Sequence, residues 1–358
     1  MRTSVVSPSK NKIIVTEMNK IDPNETILLL NPNSQGGNTG RNWISTYSKV
    51  KEFLPDNHRI IFTKKTNDGI IVTRKLLRKG YKNIVAIGGD GTINEIANGF
   101  FNLQPQDRII ESLKKFKFDP RLKLANSDGV LYIIPSGSRN VLARSLGLKY
   151  QGMQSLKRIK QMKKRKMDVI LAVITDKNSP SLTHKRIILN AAEIGLGAEI
   201  IDRSKKVRKK IKSRFVSTMA SIVATLPAYS SNKCDIVIDG RKISSKMTMG
   251  VIANGRFLGG GFKAAPRAKF SDGLLDIIIL KNSGSFKMLD KLIELKGTST
   301  YKYEEDILYY QASEVKFFPK ERDVTVSVDG EPIGMLPAIF KSYHDALTVK
   351  TEILSSRI

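Results

Sequence analysis

Between about residue 24 and residue 150, short runs of apolar residues alternate with longer stretches in which apolar positions recur every three or four residues. The first run, Thr26 to Leu30, predicts a strand. A Gly/Asn-rich loop follows, then a helix from about Arg41 with Trp43, Ile44, Tyr47, Val50 and Leu54 on one face. The plan repeats with a strand at Arg59–Thr63, a helix at Asp68–Lys79 closed by Gly80, a strand at Asn83–Ile87 and a helix at Thr92–Phe101. Leu131–Ile134 and Val141–Leu146, ending at Gly147, complete the series. Strands alternating with helices predict a parallel sheet covered on both faces.

Past a basic connector, Lys157 to Lys166, the grammar changes to strands separated by tight turns. These fall at Met167–Val173, Arg186–Ala192, Asp235–Ile238, Lys246–Ala253, Leu274–Leu280, Val315–Phe318 and Val324–Val328. Asp239-Gly240 is a two-residue hairpin signal, and Asp329-Gly330 sits at a similar strand end. This half reads as an antiparallel β-sandwich. One helical interruption, Arg203 to Tyr229, opens with 8 basic residues in 12 and runs into the uncharged Phe215–Ala228 stretch. The expected division is an α/β domain over 24–150, with a return strand at about 341–353, and a β-sandwich domain over 151–340.

Composition narrows the partners. The 358 residues are 41% hydrophobic and 26% charged, enough for packed cores, and the formal net charge of +28 calls for an anionic partner. A single cysteine, Cys234, excludes an internal disulfide, and with only 3 histidines the chain offers no zinc ligand set. The first 23 residues show no signal-peptide core, and the uncharged stretch Phe215–Tyr229, interrupted by Pro227, is too short to span a bilayer. The reading is a cytoplasmic protein.

Three loops lie where an open parallel sheet binds ligands, between a strand's carboxyl end and a helix. The first is Asn31-Pro32-Asn33-Ser34-Gln35-Gly36-Gly37-Asn38. The second, Gly88-Gly89-Asp90-Gly91-Thr92-Ile93-Asn94-Glu95, combines phosphate-approaching glycines with a carboxylate. An acidic side chain beside a triphosphate is repelled unless it holds Mg²⁺ or takes a proton, so Asp90 points to phosphoryl transfer; it is also a candidate helix N-cap. The third is Pro135-Ser136-Gly137-Ser138-Arg139-Asn140, where Ser138 and Asn140 can cap a helix or bind a nucleotide. Neither a Walker A spacing nor a dinucleotide fingerprint is present.

With these motifs in order, the chain resembles the diacylglycerol kinase catalytic-domain family, which includes bacterial-type lipid kinases, sphingosine kinases and ceramide kinases. Ala253-Asn254-Gly255, Gly259-Gly260-Gly261-Phe262, Ser271-Asp272-Gly273-Leu274-Leu275-Asp276 and Val328-Asp329-Gly330-Glu331-Pro332 look like the family's second-domain signatures. The resemblance implies an α/β domain binding ATP, a β-sandwich domain contributing the lipid site, and an active site in the cleft between them. It implies that ATP is held by Asn31, Pro32, Asn33, Ser34, Gln35, Thr63, Gly89, Asp90, Gly91, Thr92, Ile93, Asn94, Glu95 and Ser138. Glu331 is the implied proton acceptor by the bacterial pattern and Asp90 by the sphingosine-kinase pattern. An accessory Mg²⁺ is implied at Lys269, Asp272 and Leu274, the first and last through backbone carbonyls. The chain departs from the pattern at Gln35, where glycine is frequent, at Ser138, where threonine is, and at Arg139, where small or polar residues are usual.

The reading is therefore an ATP- and Mg²⁺-dependent kinase of a lipid alcohol, held peripherally on an anionic membrane surface by basic segments and open to homodimer formation. The alternative is a soluble small-molecule kinase of the NAD kinase type, whose family also uses a Gly-Gly-Asp-Gly-Thr loop. A basic nucleic-acid-binding protein on a kinase-like fold is more distant: no RNA-recognition, zinc-finger or KH-type motif is present, and aromatics are not interleaved with the basic runs. No nucleic-acid partner is expected.

Overall fold

The computed structural model describes residues 22–103, 106–108, 117–119, 121–207, 220–221, 224–225, 229–281 and 306–352. Two compact units emerge. Residues 22–102, 122–167 and 347–352 form the first; the described parts of 103–121 and 168–346 form the second.

The first unit is built on β1 (Thr26–Leu30), α1 (Trp43–Val50), β2 (His58–Phe62), α2 (Asp68–Arg78), β3 (Asn83–Gly88), α3 (Asp90–Asn98), β4 (Val130–Pro135) and α4 (Val141–Ser145). Its strands are all parallel in the order β2-β1-β3-β4, with Val349 and Lys350 of the last strand beside Leu131 and Tyr132. The central strands β1 and β4 are buried at every position, which is why they read as unbroken apolar runs. Trp43, Tyr47 and Val50 pack one face of the sheet at helical spacing, together with Leu54. Ile44, expected on that face, is 51% exposed. The helix starts at Trp43, after a separate short turn of helix ending at Arg41, and Ile44 falls about 100° round from the Trp43–Tyr47–Val50 stripe.

The second unit is a largely antiparallel β assembly, matching the sandwich expectation. Its elements are β5 (Lys163–Thr175), which starts in the first unit, β6 (Leu182–Ile188), β7 (Ala191–Gly195), α5 (Leu196–Val207), β8 (Asn232–Ile238), β9 (Arg241–Ala253), β10 (Leu275–Lys281), β11 (Ile307–Ala312), β12 (Glu314–Pro319), β13 (Thr325–Val328) and β14 (Glu331–Thr351). One path of pairing runs β11-β10-β9-β7-β13-β14, and β8 and β12 pair with each other and with β9 and β14 respectively. Ile170, Ile194, Ile236, Ile277, Phe317 and Phe340 anchor its main core. Both Asp-Gly turns adopt left-handed pairs, Asp239/Gly240 at φ 44 and 83 and Asp329/Gly330 at φ 47 and 81, which is the two-residue hairpin geometry their sequence calls for.

The strand expected at Arg186–Ala192 is instead two, β6 and β7, separated by Leu189 and Asn190. β11 has no counterpart in the sequence reading. Most of the Arg203–Tyr229 basic and apolar stretch lies outside the described residues. No described helix is long and apolar enough to cross a membrane.

Candidate active site

In the first unit the chain goes from β1 outward to β2, then returns to β3 on the other side of β1. The loops leaving β1 and β3 therefore diverge at a reversal of strand order, the point where open sheets form a binding crevice. The first two expected loops occupy it, and the third leaves the neighbouring β4.

Loop one is organised by Asn31. Its Oδ1 accepts the Asn33 N–H at 2.9 Å, and its carbonyl lies 2.9 Å from Ser34 Oγ, which is also 2.6 Å from Thr39 Oγ1. Gly36 and Gly37 are left-handed, at φ 68 and 87. Asn31 Nδ2 then donates to Thr92 Oγ1 at 3.2 Å, joining loop one to loop two. Thr63, just past β2, is buried and joins the same edge, its N–H bonding the Leu30 carbonyl at 2.9 Å.

Loop two turns into α3 at Gly89, which is the N-cap, so Asp90 heads the first turn and does not cap it. No side chain caps this end. The first N–H groups of α3 thus lack helical partners and present positive potential at the sheet edge. Asp90 is half-buried, and its Oδ1 accepts the Leu142 N–H at 3.0 Å, which ties its carboxylate to α4 beyond loop three. Ile93 and Asn94 are buried, with Asn94 Oδ1 accepting from Asn98 Nδ2 at 3.0 Å. Glu95 turns toward α2: Oε1 accepts the Asn67 N–H at 2.9 Å and Oε2 the Gly69 N–H at 3.3 Å.

Loop three is pressed against loop two, backbone on backbone. Ser136 N–H bonds the Gly88 carbonyl at 2.7 Å, and a β-carbon on Gly137 would lie 2.3 Å from Gly89 Cα. Asn140, buried and left-handed at φ 49, grips Gly137 at both ends, Oδ1 accepting its N–H at 2.8 Å and Nδ2 donating to its carbonyl at 3.0 Å. Ser138 remains exposed.

In the second unit Glu331 is half-buried at the start of β14, directly after the Asp329-Gly330 turn. Asp329 fixes that turn: its carboxylate accepts the N–H groups of Leu189, Asn190 and Ala191, each at 3.0 Å. The same three bonds draw the backbone out of the ladder and split β6 from β7. Lys269, Asp272 and Leu274 lie in the turn that enters β10, with Lys269 exposed and Asp272 Oδ1 accepting the Leu274 N–H at 3.1 Å.

Residues 25–172 match the diacylglycerol kinase catalytic domain, and residues 187–351 match the YegS C-terminal NAD kinase beta sandwich-like domain. The chain carries a diacylglycerol kinase catalytic domain followed by a YegS-type C-terminal domain. This kinase is 26% identical over 269 residues to a YegS-like lipid kinase of Chromohalobacter salexigens, covering 74% of each chain. It is 23% identical over 263 residues to the diacylglycerol kinase of Bacillus subtilis, covering 73% of this chain and 75% of the relative. Its fold resembles a solved diacylglycerol kinase structure from Bacillus anthracis str. Sterne, with TM-score 0.63 and 20% identity over 93% of this chain and 98% of the other.

The kinase also carries acidic groups to which the sequence reading gave no role. Asp168, fully buried, accepts the N–H groups of Gly273 at 2.6 Å and Asp345 at 2.7 Å, and lies 2.9 Å from His344 Nδ1. These three side chains come close enough to group around an ion, but both Asp168 oxygens are already committed to the turn at Gly273 and to residues 344–345. Asp276 is fully buried on β10, and burial followed by the charge of Asp272 pushes its carboxyl up to about 7. Its Oδ2 has no hydrogen-bond partner.

Proposed function

We propose that this kinase transfers the γ-phosphoryl group of ATP to the hydroxyl of a lipid alcohol, with Mg²⁺ as the accompanying cation. The meeting of three backbone-lined loops at one sheet edge, joined by Asn31–Thr92, Ser136–Gly88 and the Gly89–Gly137 contact, carries the reading. Phosphoryl transfer depends on positioning and charge neutralisation, and an uncapped helix N-terminus framed by glycines provides both for phosphates. The nucleotide roles fall on Asn31 to Gln35, Thr63, Gly89 to Thr92 and Ser138. Ile93, Asn94 and Glu95 contribute through packing and through the cap on α2, since their side chains are buried or engaged there.

Asp90 is the carboxylate of the first unit, and its bond to Leu142 fixes its orientation. Glu331 is the acceptor for the lipid hydroxyl proton: as the lipid oxygen bonds to phosphorus, the bond to the ADP leaving group breaks and the proton passes to the Glu331 carboxylate. Mg²⁺ supplies neutralisation of phosphate charge. In the second unit the donor set for a hard cation is the Asp272 carboxylate with the Lys269 and Leu274 carbonyls, and the unpartnered Asp276 oxygen next along the chain fits such an ion. The lipid acceptor is carried over from relatives named as lipid and diacylglycerol kinases. Lys157, Lys160, Lys163, Lys164, Arg165 and Lys166 are all exposed, which supports attachment to an anionic membrane at about 1 kcal/mol per cation near the surface.

The test is radiolabelled ATP with a panel of lipid alcohols in anionic vesicles and with NAD in solution. Label is expected in lipid with the wild type. Asp90→Asn is expected to lower kcat about 1,000-fold and Glu331→Gln about 100-fold. Label appearing in NAD and in no lipid, or full activity in both variants, overturns the reading.

A further inference from the structure

The β-sandwich unit holds a cavity of about 530 Å³, walled by α5, by the Lys177–Asn178 corner after β5 and by the β13–β14 hairpin. That is room for a small organic molecule rather than a lone ion. Three cations, Lys177, Arg203 and Lys206, line it with two carboxylates, Glu199 and Asp202. Lys206 is taken up by Asp202, 2.7 Å away and one helical turn earlier. Lys177 and Arg203 are left with the single carboxylate of Glu199, on which Arg322 also acts. Arg203 gives one N–H to the Ala224 carbonyl at 2.8 Å and keeps the rest of its guanidinium for another acceptor. The unspent charge is positive, so the complementary ligand is an anion.

Thr225 points the same way independently. It lines the cavity, is 4% exposed, and its Oγ1 has no hydrogen-bond partner. A buried hydroxyl left unmet is a costly exception that a bound acceptor removes. An acyl chain brings no acceptor and would strip water from the charged lining, whereas an oxyanion accepts from Thr225 and is neutralised by the cations. The walls are also preset. Asp176 accepts the N–H groups of Asn178 and Ser179, each at 2.7 Å, and pairs with His184. Thr175 Oγ1 donates to the Pro337 carbonyl at 2.8 Å, and a β-carbon on Gly334 would run into the Thr175 carbonyl, so the corner is fixed to β14. A site held ready in this way loses little freedom on binding. We propose that the cavity binds a phosphorylated polyol of about the size of glycerol phosphate, its phosphate met by Lys177, Arg203 and Thr225 and its hydroxyls by Glu199 and Asn178. This goes beyond the transfer reaction proposed above and does not depend on it.

Calorimetric titration of the full chain with glycerol phosphate tests this, beside titrations with inorganic phosphate and with glycerol. Glycerol phosphate is expected to bind at least about tenfold more tightly than either. Lys177→Ala and Arg203→Ala are each expected to weaken it about tenfold, and Thr225→Val, which keeps the shape and removes the hydroxyl, about fivefold. A measurement that needs no variant is the methyl resonances of Thr225 and Ile333, both cavity residues, expected to shift as glycerol phosphate is added. Competition by phosphatidylglycerol vesicles and not by phosphatidylcholine vesicles supports the site and makes a lipid headgroup the source of the ligand; binding without such competition supports it with a free organophosphate. Equal binding of inorganic phosphate overturns the polyol assignment. Absence of binding, displacement by ATP, wild-type affinity in both Lys177→Ala and Thr225→Val, or unmoved methyl resonances overturns the site.

Discussion

The two units hold their candidate residues by opposite means. In the first, the backbone does the work: glycines press loop two against loop three, and the amides at the start of α3 form the polar surface. In the second, carboxylates do it: buried Asp168 and half-buried Asp329 each gather backbone N–H groups from remote segments. A backbone-built site tolerates few atoms added; a carboxylate-built site tolerates few charges removed. The two units are therefore sensitive to different kinds of substitution, size in one and charge in the other.

The sharpest way to break this contrast is Asp329→Ala. It strands three N–H groups that share one acceptor, and each unmet buried donor costs about 1–3 kcal/mol, so a stability loss of about 3 kcal/mol or more is expected in urea denaturation. Amide exchange at Leu189–Ala191 should accelerate at the same time, and unchanged protection there would remove Asp329 as the organiser. Next in size is Gly137→Ala, where the new methyl meets Gly89 Cα; about 1–3 kcal/mol of destabilisation and a weakened ATP affinity are expected from thermal melts and nucleotide titration. An alanine accepted there without loss would show that the loops are not held by contact.

Glu95→Ala sharpens the contrast within the first unit. Removing the cap on α2 should lower stability by about 1 kcal/mol, with KM for ATP changed less than about twofold. A large rise in KM would restore Glu95 as a nucleotide ligand. The smallest effect concerns the second unit's surface, where Asp235 pairs with Lys320 at 2.7 Å and Lys242 at 2.9 Å, and those two hydrogen bonds hold its carboxyl well below the usual carboxylate range. A depressed folded-state pKa means that the stabilisation is present above about pH 4 and lost as pH falls toward the folded value. The Tm difference between wild type and Asp235→Asn should accordingly be small, greatest at neutral pH, and vanish in acid.

Legibility in the sequence follows the same divide. β1 was readable to the residue because a fully buried parallel strand is a contiguous apolar run, and both Asp-Gly hairpins were readable because their left-handed pairs are a local demand. The three loops were readable for the same reason: small residues at a strand end are a short-range signal. The splitting of β6 from β7 was not, since its cause, Asp329, lies 138 to 140 residues away. Asp168 was likewise hidden inside an apolar strand pattern, its partners at Gly273 and Asp345 being 105 and 177 residues distant. Glu95 shows the converse, a residue inside a recognisable motif whose side chain serves the neighbouring helix. β14, running 21 residues through Pro332 and Pro337, was obscured because proline ordinarily argues against a paired strand.

The contact between Gly89 and Gly137 has an evolutionary corollary. Two loops encoded about fifty codons apart share one clearance, so neither can drift to a bulkier residue alone. Descendants that alter this corner are expected to change both positions together, with the gap between the loops widening as a unit.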